Sequence, residues 1–358
     1  MVWRSHSGAP VLASFRVRPH RLSTPSGWWP TGSRCDLAID ATSDDRDVAD
    51  DHVWSLILAG GEGTRLLDYV RERFGRPLPK QYCTFTGTRS MLEHTADRAR
   101  RFAPPSRTVT VVGARHKQVA LPQLEGRSDH VVWQPANRDT GPGLFFPLSF
   151  VYRWDPDAVV AIFPADHYVA PESRFAEVLG EALRLARRWP DRVITLGVTP
   201  DEPDSDYGYV TLGRAAAGAP GLRTVEGFVE KPDLATARRL CGAGALWNTM
   251  ITCATASALW ELARATQPAM MELFDAFVPL IDDAEENEAV NVMFRELPTA
   301  NLSRDLFERA PERLLALPLD GVTWSDWGRP ERIEAVLAAG RLAARAATVP
   351  AAFGGTAS

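Results

Sequence analysis

The sequence predicts an α/β protein with a doubly wound sheet that is mixed but mainly parallel. Three observations support this fold class: short β-branched runs alternate with amphipathic stretches from Val53 onward, the first run leads into a glycine-rich turn, and polar residues follow several later runs. Sheets of this kind bind their ligands at the carboxyl ends of the strands. We therefore expect a binding site where these runs end.

Five apolar runs and three amphipathic segments make up the first half of the predicted fold. The third segment places Phe175, Val178 and Leu179 at helical spacing. The predicted strands are residues 53–59, 108–112, 130–134, 158–163 and 193–198, and the predicted helices are residues 90–102, 144–153 and 173–188. Such alternation is typical of a sheet covered by helices on both faces.

After residue 198 the pattern changes to closely spaced strands. Candidate strands at residues 207–212, 224–230 and 247–254 are followed by helices to residue 309 and by an apolar run at residues 314–324. These strands predict a small β-layer added over the same site. A final helix over residues 331–346 and a frayed tail over residues 347–358 are predicted to follow. Because no hexapeptide period is visible, we expect no C-terminal β-helix.

Composition and charge exclude several classes of protein. The chain is 45% hydrophobic and 24% charged over 358 residues, which is ordinary for a globular protein, and no apolar run is long enough to cross a bilayer. A net charge of −5 provides no basic field for nucleic acid. The four cysteines form no C-x-x-C pair, so neither a disulfide framework nor a zinc site is expected. We expect a cytoplasmic protein that binds neither membranes nor nucleic acid.

Residues 1–51 differ in character from the rest of the chain. They mix Arg, Ser, Pro and Gly with three tryptophans, become acidic from Asp44 to Asp51, and show neither helical nor strand periodicity. They also lack the continuous apolar segment of a secretory signal. We predict a disordered extension or a start codon placed too far upstream, with a regulatory arm as the alternative.

The first apolar run ends in a turn with the sequence GGEGTR over residues 60–65. Gly60, Gly61 and Gly63 can adopt positive φ and let backbone N–H groups approach phosphate oxygens, while Arg65 adds a cation with several donors. The turn lacks the Lys-Ser/Thr pair of a P-loop and the helix-opening glycine of a dinucleotide fingerprint. It predicts a site for a phosphorylated ligand, with an ordinary glycine-rich β-turn as the alternative.

Lysine is rare in this chain, which contains only Lys80, Lys117 and Lys231 beside many arginines. Where arginine is the usual surface cation, a retained lysine indicates a role that needs a compact ammonium. Lys80 follows the glycine-rich turn and Lys231 ends an apolar run, so both are candidate phosphate-binding residues. Lys117 lies in a polar stretch and is predicted to be a surface residue.

Two aspartates stand directly after apolar runs. Asp166 follows AIFPA, and Asp326 lies in VTWSDWG. Transfer of a phosphoryl or nucleotidyl group to a phosphate nucleophile needs a divalent metal and positive charge more than an acid or base, because a phosphate monoester is already largely dianionic at neutral pH. Carboxylates are the ligands that such a metal prefers. Each aspartate could instead cap a helix or stabilise a turn.

The glycine-rich turn, in the context LAGGEGTRL, resembles the signature of the sugar-1-phosphate nucleotidyltransferases. Seven further blocks occur in the family's order and are similar to those of the mannose-1-phosphate guanylyltransferases. The resemblance covers about residues 53–339. The blocks are PKQY from residue 79, QPANRDTGPG from 134, FPADH from 163, YGYV from 207, FVEKP from 228, WN from 247 and WSDWG from 324.

The resemblance implies a role for each matching residue. Asp166 and Asp326 would hold Mg²⁺, the implied cofactor. The triphosphate would lie against Arg65 and Lys80, and the sugar phosphate against Lys231. The implied nucleotide-binding residues are Leu58, Gly60, Gly61, Gly63, Thr64, Gln134 and Asn137, and the implied sugar-binding residues are Gly208, Glu230 and Asn248.

The implied reaction transfers GMP from GTP to a sugar 1-phosphate, most closely mannose 1-phosphate, and yields GDP-mannose and pyrophosphate. A nucleotidyltransferase domain would span residues 52–346, with its nucleotide-binding half at about 52–200 and its sugar-binding half at about 201–330. Two alternatives stay open: another nucleoside triphosphate or sugar 1-phosphate as substrate, and a catalytically silent regulatory subunit. Association into a homo-oligomer is also left open.

Three segments depart from the family's pattern. Residues 67–76 replace the usual W-P-L-S-R with a longer segment, T-A-P becomes T-G-P at Gly141, and W-N-S-G becomes W-N-T-M at Met250. The first change leaves the geometry of the triphosphate loop open. The change at Gly141 is expected to be tolerated. Met250 places a bulky, flexible side chain near the sugar, so the identity of the sugar is left open.

Overall fold

The structure, a computed structural model, describes residues 52–348. The predicted extension over residues 1–51 and the tail from residue 349 lie outside the described residues, while residues 347 and 348 end the last helix. The predicted absence of a β-helix concerns the chain beyond that helix and stays a prediction. Among the described residues, no helix is both long and apolar enough to span a bilayer.

A single large sheet organises the described residues. The strands are β1 (Val53–Ala59), β2 (Thr108–Gly113), β3 (His130–Gln134), β4 (Val159–Pro164), β5 (Tyr168–Ala170), β6 (Val193–Val198), β7 (Gly208–Ala215), β8 (Arg223–Glu230), β9 (Leu246–Thr255), β10 (Leu314–Pro318) and β11 (Thr323–Ser325). Nine of them form one sheet in the order β3-β2-β1-β4-β9-β6-β10-β8-β7. The strands from β3 to β4 are parallel, whereas β9 is antiparallel to both β4 and β6.

Helices cover both faces of this sheet. They are α1 (Leu67–Phe74), α2 (Met91–Ala99), α3 (Lys117–Leu124), α4 (Thr140–Trp154), α5 (Glu172–Arg188), α6 (Leu234–Gly242), α7 (Ala256–Thr266), α8 (Pro268–Phe277), α9 (Glu286–Glu296) and α10 (Pro330–Thr348). Successive residues of β1 point to opposite faces, so Leu56 packs in one buried cluster with Phe145 and Trp260, and Ile57 in another with Phe175. The predicted α/β class is confirmed. The prediction of a mainly parallel sheet is wrong, because four strand pairings of the nine-stranded sheet are parallel and five are antiparallel.

The prediction of a separate β-layer in the second half is wrong. The predicted strands are present, but β7, β8 and β9 extend the main sheet, because β9 hydrogen-bonds to β4 on one edge and to β6 on the other. The separate sheet consists instead of the short strands β5 and β11. These two strands flank the candidate site, since β5 follows Asp166 and β11 precedes Asp326.

The segment at residues 67–76, which departs from the family's pattern, forms helix α1. Gly75 ends this helix with φ 73°, the left-handed conformation that commonly stops a helix. The helix is tied to α10, because Tyr69 donates a hydrogen bond of 2.5 Å to Glu334 and Arg73 donates one of 2.9 Å to the same carboxylate. The longer segment is therefore an ordered element beside the glycine-rich turn.

Candidate active site

A cleft of about 570 Å³ opens at the carboxyl ends of the central strands. Its floor is a row across the sheet, in which Leu58 of β1 lies beside Val111 of β2 and Pro164 of β4. This is the edge at which an open α/β sheet binds ligands. The lining residues are Leu58, Gly60, Gly61, Gly63, Gln81, Val111, Gln134, Asn137, Asp139, Thr140, Gly143, Pro164, Asp166, His167, Met250 and Thr299.

The glycine-rich turn packs closely on a neighbouring loop. Gly63 has φ 62°, and a β-carbon there would lie 2.9 Å from the Cα of Pro79. Both the conformation and the space therefore require glycine. At Gly61, by contrast, a β-carbon would meet no atom within 4 Å. Thr64 and Arg65 follow in an exposed 3₁₀ turn next to the cleft.

Gln81 is absent from the predicted site, yet it fixes this turn. Its Nε2 donates hydrogen bonds to the backbone oxygens of Gly61 at 2.7 Å and Ala59 at 3.3 Å. The side chain also lines the cleft. Its sequence signal was its place in the PKQY block beside Lys80. Gln81 therefore links that block to the glycine-rich turn.

Lys80 joins the two predicted metal-binding aspartates. Its Nζ lies 3.2 Å from Oδ2 of Asp166 and donates hydrogen bonds to the backbone oxygens of Asp326 and Trp327, the latter at 3.1 Å. The side chain is only 8% exposed. A buried ammonium needs such partners to offset the loss of water. Three residues that are far apart in the sequence are thus brought together at one point.

Asp166 faces the cleft and is backed by His167. The Asp166 side chain is 34% exposed, and its Oδ1 lies 3.8 Å from Nε2 of His167. Burial lowers the pKa of His167 to about 4, so the imidazole is neutral at neutral pH. Its Nδ1 accepts a hydrogen bond of 3.2 Å from Nε1 of Trp324. The imidazole proton is therefore on Nε2, which faces the carboxylate of Asp166.

Asp326 is fixed by three donors that converge on Oδ1. They are the hydroxyl of Tyr207 at 2.9 Å, Nη1 of Arg332 at 2.8 Å and the backbone N–H of Gly328 at 3.0 Å. Burial alone would raise the pKa of Asp326, but the charges of Lys80 and Arg332 outweigh it, and the pKa is lowered. The carboxylate is therefore ionised. Arg332 lies beyond the WSDWG block and had no sequence signal.

These two aspartates could hold a divalent cation. Asp166 presents a partly exposed carboxylate to the cleft. The three hydrogen bonds to Asp326 are all accepted by Oδ1, and none of them uses Oδ2. Across residues 52–348, no group of three or more His, Cys, Asp or Glu side chains forms a ready-made metal site. This donor set suits Mg²⁺, which proteins bind through one or two carboxylates while substrate phosphates and water supply the other ligands.

The wall after β3 carries a buried acceptor that the protein does not satisfy. Nε2 of Gln134 donates to the backbone oxygen of Ala136 at 2.8 Å, but Oε1 has no hydrogen-bond partner among the described residues. A β-carbon on Gly60 would lie 2.8 Å from this oxygen, which therefore faces the glycine-rich turn. Such an acceptor costs free energy until a ligand supplies a donor. Asn137 is exposed beside it, and Asp139, with φ 69°, precedes α4 as its N-cap residue.

The predicted sugar-binding residues are not among those that line the cleft. Gly208 and Glu230 are paired across β7 and β8, and a β-carbon on Gly208 would lie 2.6 Å from Oε2 of Glu230. Lys231 is exposed, and its Nζ lies 3.1 Å from Oε1 of Glu230. Asn248 is only 5% exposed and makes its side-chain hydrogen bonds within the protein. The structure thus groups Gly208, Glu230 and Lys231, whereas Asn248 lies below the surface.

A family model described as nucleotidyl transferase matches residues 54–339. The xanthan biosynthesis protein XanB of Xanthomonas campestris pv. campestris (strain B100) is 30% identical over 281 residues, which cover 77% of this chain and 57% of that protein. Mannose-1-phosphate guanylyltransferase of Escherichia coli (strain K12) is 26% identical over 290 residues, which cover 78% of this chain and 59% of that protein. The chain therefore spans less than two thirds of the length of these relatives.

Solved structures share this fold. One from Thermus thermophilus, named a mannose-1-phosphate geranyltransferase, superposes with a TM-score of 0.68 at 28% identity over 80% of this chain and 79% of that chain. A mannose-6-phosphate isomerase from Helicobacter pylori superposes with a TM-score of 0.61 at 18% identity over 76% and 99% of the two chains, which shows the fold alone. Because the family model matches from β1 into α10, the chain belongs to the nucleotidyl transferase family.

Proposed function

We propose that the protein transfers GMP from GTP to mannose 1-phosphate and releases pyrophosphate. The contact of Lys80 with Asp166 and with the backbone of Asp326 carries this proposal, because it unites a buried cation with two candidate metal ligands beside the cleft. Family membership supports nucleotidyl transfer. The relatives named mannose-1-phosphate guanylyltransferase support GTP and mannose 1-phosphate as the substrate pair.

The triphosphate would lie along the glycine-rich turn. Gly61 leaves open space for it, and the exposed Arg65 can reach the terminal phosphates. Lys80 lies farther in, next to Asp166, where it can neutralise the charge that develops as pyrophosphate leaves. Gln81 would keep the turn in place during this step through its hydrogen bond to Gly61.

Asp166 and Asp326 would hold Mg²⁺, which when bound supplies positive charge to the reacting phosphates. The neutral His167 lies behind Asp166 and adds no competing charge. Tyr207 and Arg332 hold the carboxylate of Asp326 in one orientation. The protein's own contribution is thus to keep the carboxylate of Asp326 ionised and oriented, and to present the carboxylate of Asp166 to the cleft.

The base and the sugar would lie on opposite sides of the reacting phosphate. Guanine would lie against Asn137 and Gln134, whose unsatisfied Oε1 can accept a hydrogen bond from the nucleotide. Lys231 would bind the sugar phosphate, and Glu230 would accept hydrogen bonds from sugar hydroxyls. An oxygen of that phosphate would attack the α-phosphorus in line with the departing pyrophosphate.

The test is pyrophosphate release with Mg²⁺, measured for four nucleoside triphosphates against several sugar 1-phosphates. We expect the highest kcat/KM for GTP with mannose 1-phosphate. Asp166→Asn should abolish release, whereas Asp157→Asn, on an exposed turn, should not. Preference for another substrate pair would support nucleotidyl transfer as the reaction and would contradict GTP and mannose 1-phosphate as the substrates. Binding of GTP without release from any pair would favour the silent regulatory subunit.

A further inference from the structure

Met250 lines the cleft from strand β9. This strand lies next to β4 on the side away from β3, so Met250 is on the part of the floor farthest from Gln134. It precedes Thr252, the partner of Ile162, by two residues, and because β9 runs antiparallel to β4 it lies toward the end of β4 that carries the cleft. Strand β7, whose Gly208 is paired with Glu230, meets β9 at the pair formed by Tyr209 and Trp247, three residues before Met250. Met250 therefore stands between the nucleotide side and the proposed sugar side.

The backbone at Met250 has a conformation that favours glycine. Its φ is 62°, and the register of β9 against β6 shifts between the pairs Thr195–Thr252 and Gly197–Asn248, so the residue lies in a β-bulge. A bulky residue in the left-handed region costs free energy and persists only where its surroundings impose it. Bulges beside active sites re-aim a side chain, and this side chain lines the cleft.

Asn248 and Ser303 hold Met250 in this position. Oδ1 of Asn248 accepts a hydrogen bond of 3.1 Å from the backbone N–H of Met250, and its Nδ2 donates one of 3.2 Å to Oγ of Ser303. The hydroxyl of Ser303 in turn lies 3.2 Å from the sulfur of Met250. This closed set of contacts engages both the backbone and the side-chain end of the methionine.

The segment that carries Ser303 is itself anchored to the start of α4. The backbone N–H of Gly141 donates to the oxygen of Ala300 at 2.8 Å, and that of Ala300 donates to the oxygen of Arg138 at 3.2 Å. A β-carbon on Gly141 would lie 2.7 Å from the oxygen of Ala300, so this approach requires glycine. Thr299 of the same segment lines the cleft. This side of the cleft is therefore closed by a firmly held wall.

We infer that Met250 is a specificity-determining residue that limits the size of the sugar 1-phosphate. This inference rests on the proposed function. The thioether offers no hydrogen-bond donor and only a weak acceptor, so it suits an unsubstituted hexose better than one with a bulky polar acetamido group. Asn248 is then a positioning residue that acts through Met250 and does not itself bind the sugar.

The test compares wild-type protein with Met250→Gly, using a hexose 1-phosphate and the matching N-acetylhexosamine 1-phosphate. Glycine adopts the left-handed conformation without strain and opens this side of the cleft. We expect the ratio of kcat/KM for the N-acetylated over the unsubstituted substrate to rise by about 10-fold or more, with KM for the nucleotide unchanged. Met250→Leu keeps the bulk and should keep the wild-type ratio. Val111→Ala enlarges the floor on the nucleotide side and should also leave the ratio unchanged.

The outcomes separate this inference from the proposed function. An unchanged sugar ratio in an active Met250→Gly protein would overturn the inference alone, and Met250→Ala provides a second truncation if the glycine variant does not fold. If wild-type protein releases no pyrophosphate, calorimetry can compare the affinities of wild-type and Met250→Gly protein for GDP-linked hexose and GDP-linked N-acetylhexosamine. The ratio of these two affinities then replaces the ratio of kcat/KM. Absence of both release and binding would overturn the proposed function and the inference with it.

Discussion

Lys80 is a single residue whose contacts come from two distant parts of the chain. Replacing it with methionine keeps an unbranched stem and removes the charge beside Asp166. We expect kcat for pyrophosphate release to fall by about 10²–10³-fold, because the loss of one preorganised group that stabilises transition-state charge typically costs this much. Steady-state kinetics with the best substrate pair measures the fall, and thermal unfolding checks that the variant is folded.

Lys117→Met is the matched control for this change. Nζ of Lys117 lies 5.0 Å from the ring centre of Trp133, and the residue does not line the cleft. We expect its kcat to equal that of the wild-type protein. A folded Lys80→Met variant with wild-type kcat would contradict the proposed role of Lys80.

At the scale of elements, the start of α4 and the segment at residues 299–303 approach each other at a glycine. Gly141→Ala would place a β-carbon 2.7 Å from the backbone oxygen of Ala300, which cannot move aside as a flexible side chain could. We expect the free energy of unfolding to fall by about 1–3 kcal/mol, as is typical of overpacking. Urea unfolding at constant m-value measures the difference.

The same helix offers the control for Gly141→Ala. At Gly143, the nearest atom to an added β-carbon would be Oε1 of Gln134 at 3.8 Å, an ordinary contact distance. Because alanine favours a helix by up to about 1 kcal/mol over glycine, Gly143→Ala should keep or raise stability. Equal losses in both variants would mean that the helix, and not the approach of Ala300, is sensitive to added side chains.

For the whole molecule, the loop before β7 and the start of α10 are joined by a cluster of charges. Arg332 bonds to Asp204 and Asp326, and Arg329 bonds to Asp206. A hydrogen bond from Arg329 lowers the pKa of Asp206, against the opposing effect of burial. A carboxyl whose folded pKa is lowered stabilises the fold above its unfolded pKa of about 4, and this contribution is lost as the pH falls further.

We therefore expect Asp206→Asn to reduce stability at neutral pH and to converge on the wild-type value in acid. The difference in free energy of unfolding between the two proteins should be constant from about pH 5 to 7 and shrink below about pH 4. Urea unfolding over this range measures it. Asp68→Asn is the control, because Asp68 is 89% exposed in its pair with Arg71 and should change little at any pH. If the stability difference between wild-type protein and Asp206→Asn grew as the pH fell, it would contradict a stabilising role for the ionised carboxylate of Asp206.

Local patterns predicted the elements far better than their pairing. The run at Val53–Ala59 was predicted with its observed bounds, because its apolar residues and the glycines that end it are adjacent in the sequence. The insertion of β9 between β4 and β6 was not predicted, because it depends on contacts between strands that are distant in the sequence. The separate β-layer was a wrong prediction for that reason.

The candidate site shows the same division. The glycine-rich turn, Gln134, Asn137 and Asp166 line one cleft, and their chemistry was visible in short motifs. The role of Arg332 was not predicted, because its hydrogen bond to Asp326 depends on where α10 begins relative to that aspartate. The left-handed conformation of Met250 was also not predicted. A positive φ favours glycine, so a methionine in the sequence gives no sign of it.

The bond from Lys80 to the backbone of Asp326 closes a loop of 246 residues. Loops of that length are slow to close, and a growing polypeptide leaves the ribosome amino end first. The glycine-rich turn and Lys80 would therefore emerge early. Strand β11 and helix α10, which flank Asp326, would emerge much later. Catalytic competence would be among the last properties acquired in folding, so a chain still being synthesised could not consume its substrates.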